Sequence, residues 1–337
     1  MRVLLIKTSS MGDLIHTLPA LTDAGKAIPG IRFDWVVEDS FSEIPAWHPL
    51  VDRVIPVALR RWRKGVFSKK TRAEWRELRA ALQSESYDLV LDAQGLMKSS
   101  FLGLFAKGPR VGLDFSSARE GLASLAYQRK VTVNFYQHAV IRMRSLFSLA
   151  LGYDLPDTPP EFGVDRAQFN VAPAAEKYMV FLHGTTWPSK QWPETYWQTL
   201  ATQAAEQGFR IKISGGNDEE LARAARIAEG NAAVDLMPRL TITQMATLLA
   251  GANAAVAVDT GFGHLAGALG VPTVSIYGST NAAFTGALGT SSVLLSADFS
   301  CSPCLSRICT YRSPSEVTPA CYGTVPPAKV WATLSHL

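Results

Sequence analysis

The chain has 337 residues, 47% hydrophobic and 18% charged, which supplies apolar cores for two domains and excludes a disordered polymer. It opens MRVLLIKTSSMGD without the apolar stretch and cleavage site of a signal peptide, and no window reaches the ~18 apolar residues of a membrane span, so a cytosolic protein is expected. The net charge of +4 hides an asymmetry: residues 1–150 carry 22 Lys and Arg against 14 Asp and Glu, whereas 151–337 carry 11 against 15, so the first half should meet an anionic partner.

Apolar runs alternate with helical-period segments from the start. MRVLLIK (1–7) reads as a buried strand and Leu14–Lys26 as an amphipathic helix. Further strands are expected at 31–38, 51–57, 87–94 and 110–114, with helices over Thr71–Ser86 and His138–Leu151. The stretch GYDLPDTPPEFGVD (152–165), dense in Pro, Gly and Asp, reads as a linker. It separates a domain at 1–155 from one at 166–325, with a closing helix at 326–337. In the second domain strands are expected at 178–184, 210–216, 232–238, 254–261 and 272–278. Helices Glu194–Gln207, Asp218–Glu229 and Thr243–Ala250 lie between them. Strand–helix alternation with continuously apolar strands predicts an α/β chain of two doubly wound, Rossmann-like parallel sheets. Ligands should bind outside the carboxyl ends of the strands, in a cleft between the halves.

The residues after each strand are therefore the candidates. After the first come Lys7 to Asp13, with hydroxyls at Ser9 and Ser10 and a turn at Gly12. Asp13 could cap the following helix or act chemically. A dinucleotide site would want G-x-G-x-x-G here, and only one glycine is present. Another cluster, His183 to Trp192, sets Lys190 beside Thr185 and Thr186. The loop after 210–216 offers Asn217, Asp218, Glu219 and Glu220 as helix caps or ribose ligands. Asp259-Thr260-Gly261-Phe262-Gly263-His264 joins a strand end to a helix start, whose free N–H groups suit a phosphate or a plain turn. Cys301, Cys304, Cys309 and Cys321 share the last 37 residues. Packing, a bridge or a zinc site are the readings, although no His joins them locally.

Taken together and in this order, these stretches resemble the lipopolysaccharide heptosyltransferases, the type I members most closely, with type II as the alternative. The matching pieces are KTSSMGDLIHTLPALTDA (7–24), VALRRWRK (57–64), LDAQGLMKS (91–99), AREGLAS (118–124), LHGTTWPSKQWPETYW (182–197) and VDTGFGHLAGALGVPTVSIYG (258–278). The resemblance implies the GT-B fold, with the acceptor in the N-terminal half and the sugar nucleotide in the C-terminal half. It makes Asp13 the general base and Lys190 the catalytic partner of the leaving group. Thr185, Thr186, Lys190, Glu220, Asp259, Thr260, Gly261 and His264 become donor contacts. Ser9, Ser10, Arg60, Arg61, Arg63, Lys64, Lys98 and Arg119 become acceptor contacts. The implied reaction is inverting transfer of heptose from ADP-heptose to Kdo2-lipid A, at the inner face of the cytoplasmic membrane. It involves no metal, cofactor or nucleic acid. Gly184, Trp187 and the cysteine-bearing tail have no assigned role. A nucleotide-sugar epimerase or NAD-dependent oxidoreductase, and a two-lobed solute-binding protein, are the rival classes. The missing glycine fingerprint and the missing signal peptide count against them.

Overall fold

The structure is a computed structural model that describes residues 1–65, 67–169, 171 and 176–337. The chain divides into two compact units, Met1–Val164 and Asp165–Leu337. The first unit holds β1 (Arg2–Ile6), α1 (Met11–Ile15), α2 (Leu18–Ala27), β2 (Arg32–Glu38), β3 (Val51–Val57), α3 (Leu59–Trp62) and α4 (Lys69–Gln83). It continues through β4 (Leu89–Asp92), α5 (Met97–Gly103), β5 (Arg110–Leu113), β6 (Arg129–Val131) and α6 (Ala139–Leu151). The second holds β7 (Tyr178–Leu182), α7 (Glu194–Glu206), β8 (Arg210–Ile213), α8 (Asp218–Ala228), β9 (Val234–Leu236), α9 (Ile242–Ala250) and β10 (Ala254–Val258). There follow α10 (Gly261–Ala268), β11 (Thr273–Tyr277), α11 (Ala282–Thr285), β12 (Ser292–Ser296) and α12 (Pro327–Leu334).

Each unit is built on a six-stranded sheet, ordered β3-β2-β1-β4-β5-β6 in the first and β12-β11-β10-β7-β8-β9 in the second. All pairs are parallel. Counted within its own unit the second order is the first read backwards, so the two topologies are the same. Central strands carry the apolar load: β1 is RVLLI and β10 is AAVAV, with Leu4, Leu5, Ile6, Val256 and Val258 wholly inaccessible. Strands covered by helices on both faces need that continuous apolar character.

Three departures from the sequence expectation have physical causes. The helix expected at Leu14–Lys26 is two, α1 and α2, because Pro19 in the first turn of α2 has no N–H to continue the ladder from α1. The expected strands 87–94, 178–184, 210–216 and 254–261 end at Asp92, Leu182, Ile213 and Val258, and the residues beyond turn into loops. The strands β6 and β12 were not anticipated: both lie at sheet edges, and neither is apolar throughout.

The Pro-rich stretch from 152 packs on the first unit as far as Val164. Buried Arg144 of α6 reaches it through the carbonyl of Thr158 at 2.8 Å while its Nε donates to Asp23 at 2.6 Å. Gly163, at φ +66°, lies over the ring of buried His48, and a Cβ there would come within 2.4 Å of Nε2. Only glycine meets both demands. At the other end α12 packs against α7, and the Trp192 indole donates to the Val325 carbonyl at 2.9 Å.

Candidate active site

In both sheets the chain reverses its direction of winding once, between β1 and β4 and between β7 and β10. A parallel sheet opens a crevice at the carboxyl ends of such neighbouring strands. The candidate residues of the sequence lie at or near these ends.

In the first unit the β1 loop is fastened to the β4 loop. Buried Gln94 accepts from the backbone N–H of Thr8 at 3.0 Å and of Ser9 at 3.2 Å. Buried Lys7 donates to the Ala93 carbonyl at 3.0 Å. Asp92 beneath them accepts from Ser99 Oγ at 2.9 Å, Tyr127 OH at 2.7 Å and the Gln94 N–H at 2.8 Å; burial pushes its carboxyl up against those bonds.

Ser10, not Asp13, occupies the N-cap of α1. Asp13 is three residues in, and its Oδ2 accepts from the Ser10 N–H at 2.7 Å and the Ser10 hydroxyl at 2.9 Å. The carboxylate thus closes a capping box while staying part-exposed. Two cations feel its charge: burial lowers the Lys7 ammonium and the Arg142 guanidinium, and Asp13 opposes the shift in both. Arg119 also acts on Lys7. A carboxylate open to solvent amid fixed cations can take a proton from a hydroxyl on an anionic molecule.

The other acceptor candidates follow β3, β4 and β5, at the same end of the sheet. Lys98 is exposed on α5, and Arg119 is exposed in the loop after β5. Arg60, Arg63 and Lys64 are exposed at α3, the Arg60 guanidinium 5.6 Å from the ring centre of Phe41. Arg61 differs: its guanidinium is held by Glu74 at 2.8 Å and Asp39 at 3.3 Å, which joins α3 to α4.

In the second unit Lys190 lies where the β7 loop meets the β10 loop. Its Nζ is 2.7 Å from Asp259 Oδ2 and 4.6 Å from the ring centre of Trp187. Thr280 Oγ1 donates to the same Oδ2 at 2.7 Å, and His264 Nε2 lies 3.9 Å from Oδ1. Asp259 is therefore the counter-ion that fixes Lys190. An anion arriving at the lysine has hydroxyls and N–H groups nearby: Thr260 occupies the N-cap of α10, Gly261 is its first residue, and Thr185 Oγ1 donates to the Asp259 carbonyl at 3.2 Å. Thr186 is exposed beside them.

Glu220 belongs to the first turn of α8, whose N-cap Asn217 accepts its N–H at 2.9 Å. Its carboxylate accepts from the Gly216 N–H at 2.7 Å. A Cβ on Gly184 would come within 2.8 Å of that carboxylate, so a larger residue there would push the Glu220 side chain aside. His183, beneath, is neutral: burial lowers it to about 4, and its ring nitrogen donates to the Ser214 carbonyl at 3.0 Å.

The cysteine-bearing tail braces the loop of Lys190. Buried Ser189 donates through Oγ to the Ser306 carbonyl at 2.5 Å and through N–H to the Arg307 carbonyl at 3.2 Å. Arg307 also faces the Trp187 ring at 5.9 Å, and Leu305 N–H donates to the Ser279 carbonyl at 2.7 Å. All four thiols are free, and among the described residues no group of three or more His, Cys, Asp or Glu is placed to hold a metal ion. Burial pushes the Cys321 thiol up to about 11.

Lys7, Gln94 and Ser189 lie within the quoted motifs without a role read from them, and Arg142, Thr280 and Arg307 lie outside those motifs. Gln94 could have been picked out as a strand-end residue; Arg142 sits inside a helix and Arg307 in the tail, with no local signal.

Comparison with known proteins bears on this arrangement directly. A family model described as glycosyltransferase family 9 (heptosyltransferase) matches residues 75–313. The lipopolysaccharide heptosyltransferase 1 of Pseudomonas aeruginosa is 52% identical, covering 100% of this chain and 98% of its own. The lipopolysaccharide heptosyltransferase 2 of Escherichia coli K12 is 22% identical, covering 85% of each. The solved E. coli heptosyltransferase WaaC with ADP-2-deoxy-2-fluoro heptose is 44% identical with a TM-score of 0.85, covering 100% of this chain and 99% of that one. The chain is a GT-B glycosyltransferase and belongs to family 9, the heptosyltransferases.

Proposed function

We propose that this enzyme transfers heptose from ADP-heptose to a Kdo residue of Kdo2-lipid A, at the cytoplasmic face of the inner membrane, with inversion and without a metal ion. The observation that carries the reading is Lys190, held by Asp259 at 2.7 Å beside the N-terminus of α10. A cation and free N–H groups at one point suit a diphosphate leaving group. The likeness to a relative solved with an ADP-heptose analogue supports the donor. The greater identity to a type 1 than to a type 2 relative supports the Kdo acceptor over a heptosylated one.

In this reading the first unit binds the acceptor and the second the donor. The Kdo hydroxyl oxygen attacks the anomeric carbon while Asp13 takes its proton, and the bond from that carbon to the diphosphate oxygen breaks. The charge that gathers on the departing ADP is met by Lys190, Thr260 and the N–H groups that open α10. Glu220 holds the ribose hydroxyls, and Thr185, Thr186 and His264 complete the donor contacts. Arg60, Arg63, Lys64, Lys98 and Arg119, with Ser9 and Ser10, face the anionic acceptor; Arg61 keeps α3 in place. Displacement in one step inverts the anomeric centre.

Incubation with ADP-heptose and Kdo2-lipid A in the presence of chelator should release ADP and add one heptose mass. Transfer only to an already heptosylated core would replace the reading with the type II reaction. Transfer that stops in chelator would remove its metal-independent part.

A further inference from the structure

Helix α5 and the short 3-10 helix Gly121–Ala126 leave an apolar face of the first unit uncovered. Along α5 Ser99, Ser100, Leu102 and Gly103 are buried, whereas Met97, Phe101 and Leu104 are exposed by 53%, 50% and 47%. Steps of four and three residues put those three on one outward stripe. The 3-10 helix buries Ala123 and Ser124 and exposes Leu122 and Leu125, the latter by 74%. A three-residue step in such a helix aligns the two leucines. The pieces are bonded to each other, since Glu120 accepts the Met97 N–H at 2.7 Å and donates its own N–H to the Gly95 carbonyl at 3.0 Å. Large apolar side chains gathered this way mark an interaction surface.

The charge around the stripes is one-sided. From 97 to 130 the chain carries six Lys and Arg against Asp114 and Glu120 alone. Both acids are engaged locally: Asp114 accepts from Thr132 Oγ1 at 2.6 Å and from the Ser117 N–H at 2.8 Å, and Glu120 holds the Met97 N–H at 2.7 Å. Lys98, Lys107, Arg119 and Lys130 are exposed. Among the described residues no helix is long and apolar enough to cross a membrane.

We infer that this face docks the enzyme on an anionic phospholipid bilayer. The two apolar stripes enter the headgroup boundary, and the surrounding lysines and arginine meet lipid phosphates. A surplus of six cations over two acids, both of them held in local hydrogen bonds, selects a polyanionic surface over an ordinary protein face. Both pieces follow strands of the first sheet at the end that carries Asp13, so docking and acceptor capture share one side of the unit. The inference rests on the proposed lipid acceptor, and its test is kept apart from turnover.

Flotation of the full chain with phosphatidylglycerol-containing vesicles, set beside pure phosphatidylcholine vesicles, supplies the readout. The wild type should float with the anionic vesicles and be released by salt. Leu122→Ser with Leu125→Ser should weaken that partition about tenfold while melting temperature and ADP affinity stay unchanged. Should the pair impair folding, Leu125→Ser alone, at the more exposed position, should still weaken it. Undiminished flotation of a folded variant overturns the inference, as does equal binding to both vesicle types. A wild-type dimer that the variants dissolve, with flotation unaltered, would make the face a self-association surface and overturn it as well. Lack of heptose transfer alongside normal flotation would sink the proposed reaction and leave the docking face standing.

Discussion

The two units share one topology and put different chemistry at the same place in it. The first carries 22 Lys and Arg against 17 Asp and Glu and the second 11 against 12. At the switch point of the first stands a part-exposed carboxylate, Asp13, within the field of Lys7 and Arg142. At the switch point of the second stands an ammonium, Lys190, on a carboxylate that is itself bonded by Thr280. A sheet fixes where a ligand can bind; the side chains that follow the strands decide which one. In the proposed reaction, proton removal falls to the basic unit and diphosphate handling to the other.

The sharpest way to break this comparison is Asp13→Asn. Asparagine can still accept the Ser10 N–H, so stability should hold within about 1 kcal/mol. It cannot take a proton, and kcat should fall by on the order of 10²–10⁴. A folded variant with near-normal kcat returns Asp13 to the capping box alone. Next in size is Lys190→Ala, where loss of the cation at the leaving group should lower kcat by about 10²–10³. It also leaves Asp259 short of its counter-ion, so the melting temperature should drop. Unchanged kinetics would remove Lys190 from the leaving group.

Charge reversal at Arg63 or Lys64 should act more weakly, raising the KM for the lipid acceptor several-fold and the KM for ADP-heptose little, with the difference shrinking as salt rises. Equal effects on both substrates would remove the acceptor role. Turnover of native enzyme at neutral pH should be least affected by two of the buried imidazoles, His48 in the first unit and His183 in the second. Burial lowers His48 and His183 from 6.5 to about 4, and Arg223 adds to the shift at His183. Between those values the unfolded chain binds more protons. The stability is therefore intact above pH 6.5 and lost as pH falls through 4, roughly 3 kcal/mol for each histidine. Urea titrations across that range should show the loss, and His48→Gln should flatten it for the first unit; a flat wild-type profile would contradict neutral burial.

The sheets were legible because central strands such as RVLLI and AAVAV are apolar throughout, and the loops after them were identified as candidate sites. Edge strands β6 and β12 were not, since β6 is only the three residues RKV and the short apolar centre of β12 is bounded by serines. Asp13 and Lys190 were candidates because each follows a strand, but only the family resemblance singled them out from their neighbours. Their partners come from far along the chain: Gln94 binds a backbone 86 residues away, and Ser306 receives the Ser189 hydroxyl from 117 away. No local pattern reveals such pairings. Gly184 and Trp187 gained a meaning only once Glu220 and Lys190 were seen beside them.

Calorimetric affinity for ADP, measured side by side on Asp13→Asn and Lys190→Ala, tests the division of labour most directly. The account expects wild-type affinity for Asp13→Asn and an affinity about tenfold or more weaker for Lys190→Ala, since only the latter loses a charge-assisted contact to the diphosphate. Weakened ADP binding by Asp13→Asn, or undiminished binding by Lys190→Ala, would contradict it.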